Sequence, residues 1–128
     1  MKIIGIGTDI VEIARIEKML ERHPERFAEH ILHPQERERF NSVKNKPAWL
    51  AKRFATKEAV AKALGTGIGQ DVRLHDIETA HDGRGKPILH LHGVTLATAE
   101  AQGVVSAELS VADERTHALA FVILLGGL

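Results

Sequence analysis

Two acidic residues stand in surroundings that could do chemistry. Asp9 follows Gly5-Ile6-Gly7-Thr8, where a short apolar strand runs into a helix. Glu58 lies in Arg53-Phe54-Ala55-Thr56-Lys57-Glu58-Ala59, four residues before Lys62 and seven before Gly65-Thr66-Gly67. Two carboxylates, a cluster of cations and two glycine-rich stretches are the materials of a metal-assisted phosphate site, because a hard divalent cation takes carboxylate oxygens and keeps positions for phosphate. Each residue also has an everyday reading. Aspartate ahead of an apolar-periodic run is a good helix N-cap, and a glutamate four residues before a lysine is a common surface pair worth about 0.2–0.5 kcal/mol. Capping and metal binding are compatible, since one carboxylate has two oxygens. Glycine costs about 0.5–1 kcal/mol inside a regular element, so Gly5 and Gly7 beside Asp9 suggest close approach by a ligand or by another backbone.

Cations accompany the carboxylates. On a helix, Arg53 and Lys57 fall within the same arc as Leu50, Phe54, Val60 and Leu64, with Trp49 at its edge. Like charges at this spacing repel, so either their stems snorkel over apolar surface or an anion meets them. Ala51 and Ala55 flank the strip that carries Glu58 and Lys62, leaving room for a ligand. Gly65-Thr66-Gly67-Ile68-Gly69 is first a helix stop. It lacks the Gly-Lys-Ser/Thr order of a P-loop and follows its helix instead of preceding it. Arg15, Lys18 and Arg22 form a cationic stripe, with Arg26 and Phe27 beyond Pro24, and Met19 beside them. This is a solvated face or a dock for an acidic protein helix. His90 and His92 share one strand face, but no third ligand at zinc spacing accompanies them, and they read as surface residues.

The elements that must position these groups follow from pattern. Residues 2–7 read as a strand. A helix over 10–22 has apolar Ile13, Ile16 and Leu20, opened by a capping box of Asp9 and Glu12 and closed by Pro24. Pro34 opens a short, mostly exposed helix. Ala48 to Leu64 is a long alanine-rich helix ended by Gly65. Strands are expected at 72–79, 88–92, 104–112 and 118–125, with a short helix at 94–102. In 105–111, Val105, Ala107, Leu109 and Val111 alternate with Ser106, Glu108 and Ser110. The order predicts an α+β fold with a largely antiparallel sheet packed against a long helix, as one domain over 1–128.

Composition narrows the function. The 128 residues are 44% hydrophobic and 27% charged, with a formal net charge of zero, which argues against a nucleic-acid binder. Only 4% are aromatic, so base stacking has few partners. Absence of cysteine excludes disulfides and thiolate metal sites and fits a reducing compartment. No stretch approaches a secretory signal or a membrane span, and a cytoplasmic protein is expected.

Gly-Ile-Gly-Thr-Asp-Ile-Val-Glu-Ile-Ala-Arg-Ile at 5–16 and Arg-Phe-Ala-Thr-Lys-Glu-Ala-Val-Ala-Lys-Ala-Leu-Gly-Thr-Gly at 53–67 together resemble the two signature regions of bacterial holo-[acyl-carrier-protein] synthases, the small phosphopantetheinyl transferases. The likeness extends to Asp-Gly-x-Gly-Lys-Pro at 82–87 and Ser-Val-Ala-Asp at 110–113. It implies a phosphopantetheinyl transferase-like fold and transfer of the phosphopantetheine arm of coenzyme A to a serine of apo acyl carrier protein, in support of fatty acid biosynthesis. Adenosine 3′,5′-bisphosphate leaves. By the same likeness Asp9 and Glu58 hold Mg²⁺, with Mn²⁺ as an alternative ion. Lys62 stabilises phosphate charge, Arg53 meets the 3′-phosphate, and Gly65, Thr66 and Gly67 lie against the nucleotide. Glu58, directly or through a metal-bound water, is the first candidate base and Asp9 the second. Arg15, Met19, Arg22, Arg26 and Phe27 match the carrier-docking region. Homotrimers with active sites at subunit interfaces are implied. Glu108 stands where relatives often have His, and a carboxylate there would repel a phosphate unless turned away. The rival reading is a non-catalytic module that binds acidic helices of carrier-like proteins and needs neither Asp9 nor Glu58.

Overall fold

The computed structural model describes residues 1–127; Leu128, counted in the single-domain expectation, lies outside them. The chain runs β1 (Lys2–Glu12), α1 (Ile13–Arg22), α2 (Arg26–Ile31), α3 (Pro34–Phe40) and α4 (Lys46–Leu64). A 3₁₀ turn at Leu74–Asp76 leads into β2 (Ile77–His81) and β3 (Pro87–Leu91), followed by α5 (Gly93–Ala101), β4 (Val104–Asp113) and β5 (His117–Gly126). The strands form two antiparallel sheets, β1-β5-β4 and β2-β3. The expected α+β architecture around a long helix is borne out.

Helix α4 is the axle. Asn45 Oδ1 caps it by accepting from Ala48 N at 3.2 Å, Pro47 lies in its first turn, and Gly65 closes it at φ 79°. The helix therefore starts two residues earlier than alanine content alone suggests. Leu50, Ala51, Ala55, Ala59, Val60, Ala61, Ala63 and Leu64 are all buried, on several faces, so α4 is a core helix and not a one-sided amphipathic one.

Strand β1 lies on it. Gly5 and Gly7 face α4 so closely that a Cβ on Gly5 would meet the carbonyl of Ala63, and one on Gly7 the carbonyl of Ala59. The alanines thus admit the backbone of β1, and the open choice between ligand and backbone resolves as backbone. Opposite them on β5, Ala118, Ala120, Val122 and Leu124 are buried. β1 continues to Glu12, five residues beyond expectation, and this moves Asp9 from a helix cap into a strand. The capping box of Asp9 and Glu12 does not form; Glu12 is the N-cap of α1 without a side-chain cap bond. Instead the Ile13 amide donates to the Thr116 carbonyl in the β4–β5 turn, 2.8 Å away.

The other differences are local. The pattern overlooks α2, a helix of six residues and too short to display a period. Residues 72–76 form no strand but lead through the 3₁₀ turn. In β4 a register shift between Val104 and Ser106 leaves Val105 67% exposed, breaking the expected alternation, whereas Ala107, Leu109 and Val111 keep the inner face.

Charge is buried at the far side of α4. Glu36 and Lys57 are each 1% exposed and Arg53 5%. Lys57 Nζ donates to Glu36 Oε1 at 2.8 Å, to Leu74 O at 3.0 Å and to Ile77 O. Glu36 Oε2 accepts from Thr79 N at 2.9 Å. Arg53 Nε lies 3.4 Å from Glu36 Oε2, and its guanidinium stacks over Trp49 at 4.0 Å. Neither snorkelling nor an external anion explains Lys57: its three donors are satisfied inside. Removing one partner of such a buried pair costs about 3–5 kcal/mol, because the other charge is left without a counter-charge.

The contact between β1 and α4 gives a direct test. Gly7→Ala forces a methyl group against a helix carbonyl that cannot move without breaking α4. Denaturant unfolding should show a loss of about 3 kcal/mol, the upper end of ordinary overpacking, or no cooperative transition. A loss below about 1 kcal/mol would mean that β1 does not need the close approach.

Candidate functional site

The alternation of β1 sends Gly5, Gly7, Asp9 and Val11 toward α4 and Ile6, Thr8 and Ile10 away from it. Asp9 therefore reaches the helix where the strand leaves its closest contact. Lys62 Nζ donates to Asp9 Oδ1 at 2.9 Å and to the Thr8 carbonyl at 3.0 Å. The Asp9 side chain is 17% exposed and that of Lys62 53%, so the pair is open on the lysine side. Glu58, one turn before Lys62, is half-buried. Burial and then the nearby charge of Asp9 raise its pKa, against the opposing pull of Lys62 and Arg15. The two carboxylates, 49 residues apart in sequence, are neighbours in the fold (58 − 9 = 49). The Glu58–Lys62 surface pair expected from spacing gives way to a Lys62–Asp9 pair.

A carboxyl group held above its ordinary range by burial, and further by a second carboxylate, gains from an added positive charge. The donors at this end of the site are oxygens, which suits Mg²⁺ or Mn²⁺ better than softer ions. On that chemistry Asp9 and Glu58 fit a hard divalent cation.

Arg53 lies elsewhere. It stands five residues before Glu58, about 140° around the helix axis, and lines a cavity of about 220 Å³ with Lys52, Thr56, Thr79 and His81. Neither Asp9, Glu58 nor Lys62 lines it. Its lining also carries one carboxylate, Asp113, 3.9 Å from Lys52 Nζ; burial, then Arg53, Arg39 and Lys52 push the His81 pKa down against the pull of Asp82, and Arg39 Nη1 lies 3.4 Å from His81 Nδ1. Lys52, Arg39 and His81 were not candidates from sequence. Lys52 adjoins Arg53, but Arg39 and His81 come from other elements and carry no local signal.

Gly65, Thr66 and Gly67 form an exposed turn after α4, with Gly65 and Gly67 at φ 79° and 69° and open space where a Cβ would be. Arg15, Arg22 and Arg26 are exposed. Met19 and Phe27 are half-buried, and Phe27 packs against the core, so only part of its ring is available as an apolar contact. Arg15 faces Glu58 closely enough to lower its pKa, joining the cationic stripe to the carboxylate pair. Glu108 turns to Lys86, 3.3 Å away on the surface.

The chain matches the model of the 4′-phosphopantetheinyl transferase superfamily over residues 5–122. A holo-[acyl-carrier-protein] synthase of Halorhodospira halophila is 54% identical over 125 residues, 98% of this chain and 99% of the relative. The crystal structure of the Neisseria meningitidis holo-[acyl-carrier-protein] synthase superposes with a TM-score of 0.92 at 41% identity, covering 97% of this chain and 99% of the other. That of the Bacillus anthracis enzyme, in complex with CoA (3′,5′-ADP), gives 0.82 at 40% identity over 98% of each chain.

Carbon-detected NMR titration of Glu58 should find its pKa above the ordinary carboxylate range, and Asp9→Asn should lower it, because the like charge is gone while the burial remains. The sign for stability follows: a carboxyl whose folded pKa exceeds its unfolded pKa loses stability as pH rises through that window. Glu58→Gln should therefore melt no lower than wild type at neutral pH. An ordinary pKa in wild type, unmoved by Asp9→Asn, would separate the two carboxylates.

Proposed function

The chain belongs to the 4′-phosphopantetheinyl transferase superfamily, and we propose that Asp9, Glu58 and Lys62 form the reacting centre of its transfer chemistry. It is a holo-[acyl-carrier-protein] synthase, moving the 4′-phosphopantetheine of coenzyme A to a serine of apo acyl carrier protein. The observation that carries the site reading is the Lys62–Asp9 bond at 2.9 Å, which joins the two signature segments one helical turn from Glu58.

The serine Oγ attacks the β-phosphorus of the diphosphate, the bond to the nucleotide phosphate breaks, and adenosine 3′,5′-bisphosphate leaves. Glu58, half-buried one turn before Lys62, takes the serine proton. Lys62 neutralises charge on the phosphates, and Asp9 orients Lys62. Asp9 and Glu58 would hold Mg²⁺, which when bound supplies charge neutralisation at the diphosphate. The turn Gly65–Gly67 gives the nucleotide backbone without side chains to clear. A non-catalytic dock for acidic helices has no use for this grouping of carboxylates.

Arg53 is the cation for the 3′-phosphate, supported by its place in a cavity it lines with Lys52 and His81, where Asp113 pairs with Lys52. A single nucleotide does not wrap the helix from Glu58 to Arg53 of the same chain, so the two come from neighbouring subunits. The outer face of β1-β5-β4 supports assembly: Ile3, Ile6, Ile10, Val105, Leu119 and Phe121 are 41–67% exposed, an apolar surface of the kind that marks an interface. We read the assembly as a homotrimer of 1–128 domains. The carrier's acidic helix docks on Arg15, Met19, Arg22, Arg26 and Phe27, and Arg15 brings it to Glu58. Among the described residues no helix is long and apolar enough to cross a membrane; a cytoplasmic role in fatty acid biosynthesis follows as part of this reading.

With coenzyme A, Mg²⁺ and an apo carrier protein, intact-mass measurement should find the carrier heavier by one phosphopantetheine. Asp9→Ala and Glu58→Ala should abolish the gain while leaving the circular-dichroism spectrum intact; full activity in both would remove the proposed centre. Glu58→Ala and Arg53→Ala chains, each inactive, should regain about a quarter of wild-type activity when unfolded and refolded together, the chance of a correct pairing across a ring interface. No recovery, with mixed trimers present, would place both residues in one subunit's site.

A further inference from the structure

His33, Glu78 and His92 come from three separate parts of the chain. His33 is the N-cap of α3, Glu78 lies in β2, and His92 follows β3 as the N-cap of α5. The hairpin register pairs Glu78 with His90, which puts His92 at the diagonal position on the same face. His92 Nε2 lies 2.9 Å from Glu78 Oε1 and His33 Nδ1 3.9 Å from the same oxygen, while the two imidazoles stack at 4.2 Å with 17° between their planes. One ligand atom from each residue falls within 4.8 Å of the others. His90 is not part of the group; the fold instead brings to His92 two ligands, His33 and Glu78, that spacing along the chain does not associate with it.

We propose that His33, Glu78 and His92 form a second divalent metal site, for a borderline transition ion of the Zn²⁺ class, distinct from the Asp9–Glu58 pair. Two imidazoles and one carboxylate are a donor set that Zn²⁺ takes readily with a water or outside ligand in fourth place, whereas Mg²⁺ prefers oxygen alone. A tetrahedral ion with bonds of about 2.0–2.1 Å has ligand atoms about 3.3 Å apart, between the shorter and longer separations found here. The rings need only splay from their stack, since lone pairs in near-parallel planes run side by side. Entry is from the His92 side, whose side chain is 41% exposed against 15–16% for Glu78 and His33.

Occupancy has a consequence for α3. His33 Nδ1 accepts from the Gln35 amide at 3.2 Å. A neutral imidazole has one lone-pair nitrogen, so a metal bond from His33 replaces that cap bond. The other half of the capping box, His33 N to Glu36 Oε1 at 3.1 Å, stays. Glu36 is the buried partner of Lys57 and Arg53, so the ion would tie the β2-β3 hairpin to the helix that seats Arg53.

Co²⁺ titrated into the tag-free, full-length chain tests this by visible spectroscopy. The expected result is the intense absorption of a four-coordinate ion, one equivalent per chain, displaced by Zn²⁺ and not by Mg²⁺. His92→Asn and the near-isosteric Glu78→Gln should each weaken binding by at least roughly tenfold, a loss that even outer-shell changes reach. His33→Asn, which keeps a cap acceptor for α3, should do the same, and Asp9→Asn should leave the band unchanged. Zn²⁺ should raise the melting temperature of wild type by several degrees and that of Glu78→Gln by none. Absence of the band, or a band that survives Glu78→Gln and His92→Asn, would overturn the proposal, the latter placing the ion elsewhere, as among His23, His30 and His75.

Discussion

The rest of the structure depends on two missing side chains. Gly5 and Gly7 let the backbone of β1 rest on the carbonyls of Ala63 and Ala59, an approach closer than any Cβ allows. From that contact the positions of the functional groups follow with little freedom. Asp9 is two residues beyond Gly7 on the same strand face, and Lys62 is beside Ala63 on the helix. Their bond at 2.9 Å is the outcome of a backbone-to-backbone seating, not of two flexible side chains finding each other. Preorganisation of this kind matters for phosphoryl-group chemistry, where most of the work is holding charges in place.

A second constraint acts on the opposite side of α4. Glu36, Lys57 and Arg53 share one buried network, and the two cations on α4 have divided roles. Lys57 is saturated by Glu36 and backbone carbonyls. Arg53 has only a loose hold on Glu36, at 3.4 Å without hydrogen-bond geometry; it leans on Trp49 and donates from Nη2 to the Thr79 carbonyl at 3.4 Å. That leaves part of its guanidinium for whatever enters the cavity it lines. Burying charge is costly, and here the cost fixes the rotamer of a cation that a solvated arginine would sample freely.

Much of this was legible in the sequence, and the reasons for the remainder are physical. The long helix and its glycine stop could be read because alanine content and a C-terminal glycine act locally. The α+β order followed from the sequence of helical and alternating stretches. Asp9 reads as a cap as well as a metal ligand because Ile13, Ile16 and Leu20 fit a helical spacing; Gly5, Gly7, Asp9 and Val11 equally fit a strand face, but glycines give alternation no apolar signal. Lys57 could not be told from Arg53, since its partner Glu36 lies 21 residues earlier in a helix that looked exposed (57 − 36 = 21). The His33–Glu78–His92 grouping joins a helix cap, a strand and a strand end, and no spacing rule spans all three.

Strand parity carries one more implication. β1 places Gly5, Gly7 and Asp9 on one side and Ile6 and Ile10 on the other, so a single strand serves two surfaces at once. Because side chains alternate with a period of two, inserting or deleting one residue between Gly5 and Asp9 turns over the strand on one side of the change, unless a bulge takes up the difference as one does between Ile3 and Gly5. Gly5, Gly7 and Asp9 would then no longer all face the helix. A one-residue change of length here needs a bulge of its own, whereas a substitution can alter either face alone.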